Sequence, residues 1–354
     1  MSAALPLDDI DLVLSLTPEF CARFGGSRIF ITGGTGFVGS WLLEVIQRAN
    51  DTLGSGIDML VLTRDTDRAR RQLPHVFERP DTILLAGDVT SLCAADAVGK
   101  FDLCVHAATE VGDPHKAHDA LKVFDSIVEG TRRVLDLAAA SGASRFLLTS
   151  SGAVYGAQPA TLERIAESYS GAPDPLSPAA AYGNGKRAAE WLTSAYSATA
   201  HQPGMHTSIA RIFAVLGPRL PLNGSFAAGN FIRDAIAGDA IRVQGDGRPL
   251  RSYLYMADVC VWLLRILGAG AAGQAYNVGS QQAVSIEALA RHIADAAGGR
   301  SRVEVAMRGS PAVAPPRYVP DTHKARSELG LDEYHALDSA LSKTINWSRS
   351  ANVQ

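Results

Sequence analysis

Tyr182 and Lys186 stand four residues apart in Tyr182-Gly183-Asn184-Gly185-Lys186, at the head of an amphipathic pattern that reaches Ala200. On a helix that spacing puts both side chains on one face. A lysine beside a phenol, with an oxidised nicotinamide close by, favours the phenolate and lowers the tyrosine from its usual value of about 10. Tyr182 can then exchange a proton with a secondary alcohol or ketone while a nicotinamide exchanges a hydride. Thr149-Ser150-Ser151-Gly152-Ala153-Val154-Tyr155-Gly156 follows an apolar run, and there Ser151 is placed to hydrogen-bond the same oxygen. A lone Y-x-x-x-K usually marks a surface helix. What makes this one a site is its position downstream of that serine cluster and of a glycine loop.

The loop lies in Ile29-Phe30-Ile31-Thr32-Gly33-Gly34-Thr35-Gly36-Phe37-Val38-Gly39-Ser40-Trp41-Leu42-Leu43, which reads as strand, phosphate loop and helix. Gly33, Gly36 and Gly39 recur every third residue, and Gly34-x-Gly36-x-x-Gly39 fits the dinucleotide fingerprint. Glycines so spaced allow the tight turn and let backbone N–H groups of the loop, with Phe37 and Val38, approach a pyrophosphate at the helix N-terminus. Further strands are expected at Met59–Thr63, Thr82–Ala86, Leu103–His106 and Arg145–Thr149, with a helix over Val123–Ala140. Continuous apolar strands alternating with helices imply an α/β fold with a doubly wound parallel sheet and ligands at the strands' carboxyl ends.

At the end of the second strand the chain has Thr63-Arg64-Asp65, where an NAD site usually offers a carboxylate to the ribose. Arg64 suits a 2′-phosphate and points to NADP(H). Asp65, which can still reach the ribose, leaves NAD(H) open. Asp88 and Val89 are placed for adenine, and Ala107, Ala108 and Thr109 are small residues where backbone passes close to the cofactor. His106 reads as a structural hydrogen-bonder. The later arginines Arg68, Arg70 and Arg71 read as a solvated helix face.

A chain of 354 residues with 47% hydrophobic content can bury a full core and a second, smaller lobe. A net charge of −3 gives no reason to expect nucleic acid or an acidic membrane as partner. Cys21, Cys93, Cys104 and Cys260 form no C-x-x-C pair and read as reduced, structural thiols of a cytoplasmic protein, with no metal site. Residues 1–26 lack a signal-peptide pattern and no run is long enough to span a bilayer. That extension, with Thr17 capping a short helix from Pro18, is expected on the outside of the nucleotide domain. The layout is then residues 1–26 as extension, 27–216 as nucleotide domain, 217–345 mainly as substrate lobe and 346–354 as tail.

Taken together, these motifs resemble the extended short-chain dehydrogenases/reductases, in the NAD-dependent epimerase/dehydratase group that modifies nucleotide-activated sugars. The resemblance runs from about Ser27 to Leu341. It implies a Rossmann-type domain with a smaller C-terminal substrate lobe. It also implies Ser151, Tyr182 and Lys186 as catalytic residues, with Lys186 orienting the nicotinamide ribose, and a homodimer through two nucleotide-domain helices, one carrying Tyr182. In the lobe, Gly229-Asn230-Phe231-Ile232 resembles the loop at the substrate diphosphate, Arg251 in Arg251-Ser252-Tyr253-Leu254-Tyr255 a phosphate ligand, and Arg317 in Arg317-Tyr318-Val319-Pro320-Asp321 a late substrate contact. An arginine suits phosphate because its charge is permanent and its fork binds two oxygens.

Departures from the pattern narrow the chemistry. Dehydratases of this group and the related decarboxylases carry acidic residues just after the catalytic Ser/Thr, where this chain has Gly152 and Ala153. A 4,6-dehydratase is therefore disfavoured. Ile127 replaces the asparagine of the N-V-x-G-T motif, and Ala214 an asparagine that commonly touches substrate. The expected reaction is reduction of a 4-keto nucleotide sugar with Tyr182 as proton donor. The alternative is a 4-epimerase holding NAD tightly. A non-sugar ketoreductase is disfavoured by the Arg251 segment, and a non-catalytic nucleotide-binding protein by the intact Ser151, Tyr182 and Lys186.

Overall fold

The computed structural model describes residues 3–92, 99–109, 117–198, 204–224, 226–307, 309 and 314–352. Its centre is a seven-stranded parallel sheet: β1 (Arg28–Thr32), β2 (Asp58–Thr63), β3 (Thr82–Ala86), β4 (Leu103–His106), β5 (Arg145–Ser151), β6 (His206–Ile212) and β7 (Gln274–Val278). The spatial order is β7-β6-β5-β4-β1-β2-β3, with the reversal between β1 and β4. All five expected strands form. β6 and β7 complete the sheet, β7 from sequence that returns from the substrate lobe.

Side-chain alternation explains why the sheet is covered twice. Ile29, Ile31, Val61, Leu103, Val105 and Leu147 face one core, with Trp41 and Leu42 of the helix Phe37–Leu53 and the helix Met256–Ala269. Phe30, Leu60, Cys104, Phe146 and Leu148 face the other, against the helices Ala117–Ser141 and Ala181–Ala198. The second of these carries Tyr182 and Lys186. Two of the cysteines, Cys104 and Cys260, are buried, while Cys93 lies outside the described residues, as do Thr199 and Ala200 at the expected end of the Tyr182 helix.

Beyond the sheet, the short strand Leu250–Arg251 lies between Val284–Ser285 and Arg317–Tyr318 and faces the nucleotide domain's carboxyl edge. Ser285 caps the helix Ile286–Ala296 by accepting a hydrogen bond from the Ala288 N–H at 3.1 Å.

Both chain ends depart from expectation. A helix Leu7–Leu16 precedes the expected short one, Pro18–Phe24. Thr17 does not cap the latter; its hydroxyl donates to the Val13 carbonyl at 2.8 Å. The first helix packs its buried face, Asp9, Ile10, Val13 and Leu14, against both Phe37–Leu53 and Met256–Ala269, with Leu7, Asp8 and Asp11 exposed on its other side. Its Asp9 is fully buried and accepts from Tyr255 at 2.5 Å and from Lys343 at 2.7 Å. At the other end the helix Leu337–Asn352 runs through the boundary drawn at 345, because Ile345 and Ser348 are buried on its inner face. No helix among the described residues is long and apolar enough to cross a membrane.

Candidate active site

One cavity of about 1030 Å³ runs along the carboxyl ends of the strands, from Arg64 and Arg68 at one end to Arg251, Tyr253 and Tyr318 at the other. Gly33, Gly36, Phe37, Val38 and Gly39 all line it. Gly33 has φ of 73°, and a methyl there would come within 2.6 Å of the Ala107 backbone. A methyl on Gly39 would overlap the Gly33 carbonyl and come within 2.7 Å of the Gly34 Cα. Only glycine serves at both points. The loop thus passes directly under Ala107-Ala108-Thr109, and the free N-terminus of the helix Phe37–Leu53 faces the open space, an arrangement that fits a dinucleotide pyrophosphate.

Arg64, Asp65, Arg68, Asp88 and Val89 line the far end. Asp65 caps the next helix, its carboxylate accepting from the Arg68 N–H at 2.8 Å. That use of Asp65 is local, and Arg64 is left as the projecting cation, its Nε 3.9 Å from the Asp88 carboxylate. Burial acts to raise Asp88, but hydrogen bonds from the Thr90 N–H and hydroxyl, with Arg64 and Lys122 nearby, hold it below the usual carboxylate range. His106 is buried between the Thr32 and Thr131 hydroxyls, 2.7 and 3.2 Å from its two ring nitrogens. Burial, with Lys186 close by, pushes it down to about 3, so it is a neutral structural group.

Ser151, Tyr182 and Lys186 line the middle of the cavity. Ser151 ends β5, where its hydroxyl accepts from the Ala153 N–H at 3.2 Å and caps the turn Gly152–Tyr155. It faces the Tyr182 phenol closely enough to favour the phenolate. Lys186 is 2% exposed and donates to the Thr149 carbonyl at 2.8 Å. Its Nζ lies 5.9 Å from the centre of the Tyr182 ring.

In the chain without cofactor, burial governs both charge states. Burial raises Tyr182 above the ordinary phenol value, against the smaller opposing effect of Ser151, and burial pushes Lys186 down to about 8. In the protein alone, desolvation outweighs any help that the ammonium gives the phenolate.

At the substrate end, Arg251 and Tyr253 line the cavity as expected for the Arg251 segment. Burial pushes Tyr253 up to about 12, keeping it a neutral phenol. Three other expected contacts lie elsewhere. Phe231 is 5% exposed in the core, because the helix Ala227–Ala237 offers Ala227 and Ala228 to the cavity and turns Phe231 inward. The Asn230 amide donates to the Gly224 carbonyl at 2.9 Å and accepts from Arg233 at 3.2 Å. Arg317 does not line the cavity; Tyr318, its neighbour in the strand, does.

Tyr318 is the residue that sequence reasoning missed. Its ring packs 4.6 Å from Phe213, the Arg251 guanidinium lies 5.8 Å above it, and its phenol faces Ser151. It also explains Gly152. A methyl at 152 would meet the Tyr318 hydroxyl at 2.6 Å and the Phe213 ring at 2.7 Å, so no acidic side chain fits there beside Tyr318. A second missed group is Glu190, one turn beyond Lys186 on the catalytic helix, which accepts from Ser150 at 2.5 Å and from Arg211. The Tyr-x-x-x-Lys-x-x-x-Glu spacing was the available signal for it.

The fold and the site define a dinucleotide-dependent enzyme of the Rossmann type, with a serine, tyrosine and lysine facing the cofactor cavity. More narrowly, the chain belongs to the NAD dependent epimerase/dehydratase family, whose model matches residues 29–279. A UDP-glucuronic acid decarboxylase 1 of Xenopus tropicalis is 30% identical over 331 residues, 94% of this chain and 74% of that protein. Among solved structures, the Thermotoga maritima UDP-glucose 4-epimerase with UDP-glucose superposes with a TM-score of 0.75 at 18% identity, covering 92% of this chain and 100% of that one. MoeE5 in complex with UDP-glucuronic acid and NAD does so at 0.71 and 24%, covering 91% and 99%. At these identities the structural likeness establishes the fold.

Proposed function

We propose that this enzyme oxidises C4 of a nucleoside diphosphate sugar and restores it by returning the hydride, and that its substrate is a nucleotide uronic acid which loses CO₂ at the keto stage. The observation that carries the reading is the single cavity in which the glycine loop, the Ser151–Tyr182 pair and Arg251 all meet. Bound NAD⁺ supplies the hydride acceptor and, once reduced, the donor. Tyr182 takes the proton from the 4-hydroxyl, Ser151 holds the same oxygen, Lys186 fixes the ribose side of the site, and Arg251 grips the diphosphate. A 4-ketone stands β to the uronic carboxylate. Polarising it with Tyr182 and Ser151 lets the C5–C6 bonding electrons flow toward the carbonyl as CO₂ leaves, and the resulting enol takes a proton from water at C5 to restore the 4-ketone before the hydride returns.

Loss of CO₂ itself abstracts no proton, whereas a 4,6-dehydratase must remove the 5-proton and expel the 6-hydroxyl; Gly152 and Ala153 nonetheless depart from the acidic residues that the related decarboxylases also carry there. The likeness to a UDP-glucuronic acid decarboxylase supports this reading over the reduction of a 4-keto sugar expected from sequence. A 4-epimerase shares the oxidation and is the second reading, favoured by the small residues Gly152 and Ala153. The closed redox cycle calls for NAD(H), and the Arg64 end of the cavity keeps NADP(H) a testable rival. The buried thiols of Cys104 and Cys260 suit a cytoplasmic setting. The helices Ala117–Ser141 and Ala181–Ala198 present exposed Leu121 and Trp191, which suits the homodimer.

The test is NMR of purified enzyme with NAD⁺ and UDP-glucuronic acid labelled at C6. Release of labelled CO₂ supports the decarboxylase. Inversion at C4 without CO₂ supports the epimerase, and consumption of NADPH with a 4-keto sugar alone returns the ketoreductase. Tyr182→Phe should abolish turnover while NAD binding changes less than about threefold, since the phenol acts on the substrate oxygen.

A further inference from the structure

Lys186 is a buried ammonium, 2% exposed. From β4 it is faced by His106, which is neutral, and from β5 by the Thr149 carbonyl. Behind the catalytic helix stands Ile127 of the helix Ala117–Ser141, whose Cδ1 would lie 3.3 Å from a methyl placed on Gly185. On its own helix the groups that face it are Tyr182 and Glu190, one turn away on either side. Glu190 is 7% exposed, and its position is over-determined. It accepts from the Ser150 hydroxyl at 2.5 Å, and the Arg211 guanidinium of β6 grips both its oxygens, at 2.6 to 3.1 Å. Arg211 is itself tied to the Tyr155 hydroxyl at 2.8 Å, and that hydroxyl to Asn277 at 2.7 Å. Glu190, Arg211 and Arg187 line a second cavity of about 670 Å³ on the far side of the helix from Ser151.

We propose that Glu190 is an electrostatic support for Lys186: a buried carboxylate, clamped by Ser150 and Arg211 one helical turn away, whose fixed negative charge favours the ammonium form of the lysine that the Thr149 carbonyl holds. Desolvation works against that charge, and Glu190 is the acidic group that works for it. Ser150 and Ser151 thereby have separate tasks. The first orients Glu190 and the second faces the substrate.

The proposal rests on Lys186 belonging to the reacting group, but not on which sugar is turned over, so it is tested without substrate. The ε-ammonium of Lys186, assigned by the signal lost in Lys186→Arg, is titrated by NMR in wild type, Glu190→Gln and Arg211→Met. Wild type should titrate near 8. Glu190→Gln should move the midpoint to lower pH by about one unit, and Arg211→Met, which unmasks the carboxylate, to higher pH. A merely structural ion pair would shift both variants in the same direction or neither, and either result overturns the proposal. If Glu190→Gln does not fold, the double variant Glu190→Gln/Arg211→Met removes the pair without stranding a charge. Its midpoint should still fall, and an unchanged midpoint overturns the idea. Failure of the NMR experiment in the previous section would leave these titrations unaffected.

Discussion

His335 joins the two ends of the chain, and its titration should be visible in the stability of the whole molecule. Its Nδ1 lies 2.6 Å from an Asp258 oxygen and its Nε2 3.7 Å from Asp9, while the N–H groups of Tyr334 and His335 donate to the other Asp258 oxygen at 2.9 and 3.0 Å. Burial would lower the imidazole, but the two carboxylates outweigh it and raise His335 from 6.5 to about 9. A group raised on folding stabilises most when protonated in both states. Its contribution is therefore complete below pH 6.5 and disappears as pH rises through about 9. The shift corresponds to at most about 3 kcal/mol, and solvent screening at this partly exposed site reduces that to roughly 1.5 kcal/mol. The perturbation is His335→Gln, compared with wild type by urea unfolding at half-unit steps from pH 6 to 9.5. The stability gap should be widest at pH 6 and narrow by about 1.5 kcal/mol toward pH 9.5. A gap that is constant with pH, or one that widens toward alkali, would refute the charged His335 between Asp9 and Asp258.

Two other substitutions probe the site. Gly152→Ala places a methyl against the Tyr318 hydroxyl and the Phe213 ring, so it should lower stability by about 1–3 kcal/mol and lower turnover at least tenfold by moving Tyr318 off Ser151. Retention of full activity and melting temperature would show that the two aromatic rings are free to move. Arg64→Ala should weaken NADPH by about tenfold, roughly 1.4 kcal/mol, and change NADH less than twofold by calorimetric titration. Equal losses for both cofactors would remove Arg64 as a 2′-phosphate ligand.

Local features were legible in the sequence, and features made by distant segments were not. Strand, glycine loop and helix follow one another within Arg28–Leu53, and the pair Tyr182 and Lys186 lies within one helical turn, so spacing alone placed them. Tyr318 reaches Ser151 only because Arg317–Tyr318 pairs in parallel with Leu250–Arg251, a register that no local pattern announces. One residue of parity separated the reading of Arg317 from the side chain that lines the cavity. Phe231 went astray for the matching reason on a helix. Its neighbours Ala227 and Ala228 hold the cavity face. Nothing local marks Asp9 for burial, yet Tyr255, His335 and Lys343, all far along the chain, converge on it.

Charge state is the property that spacing could least supply, and it bears on the direction of the chemistry. Lys186 together with an oxidised nicotinamide argued for an easily ionised Tyr182. Desolvation acts on both groups at once, however, raising the phenol and lowering the ammonium, because each charged form loses water when the helix packs against β5. Tyr182 in the protein alone is thus a neutral phenol, prepared to give a proton to an oxygen that is gaining negative charge. To take a proton it needs additional positive charge in the cavity, or a Lys186 held firmly in its ammonium form. The carboxylate of Glu190 acts on the second of these. Removing it should therefore slow the oxidation of an alcohol, where Tyr182 accepts the proton, more than the reduction of a ketone, where it donates one.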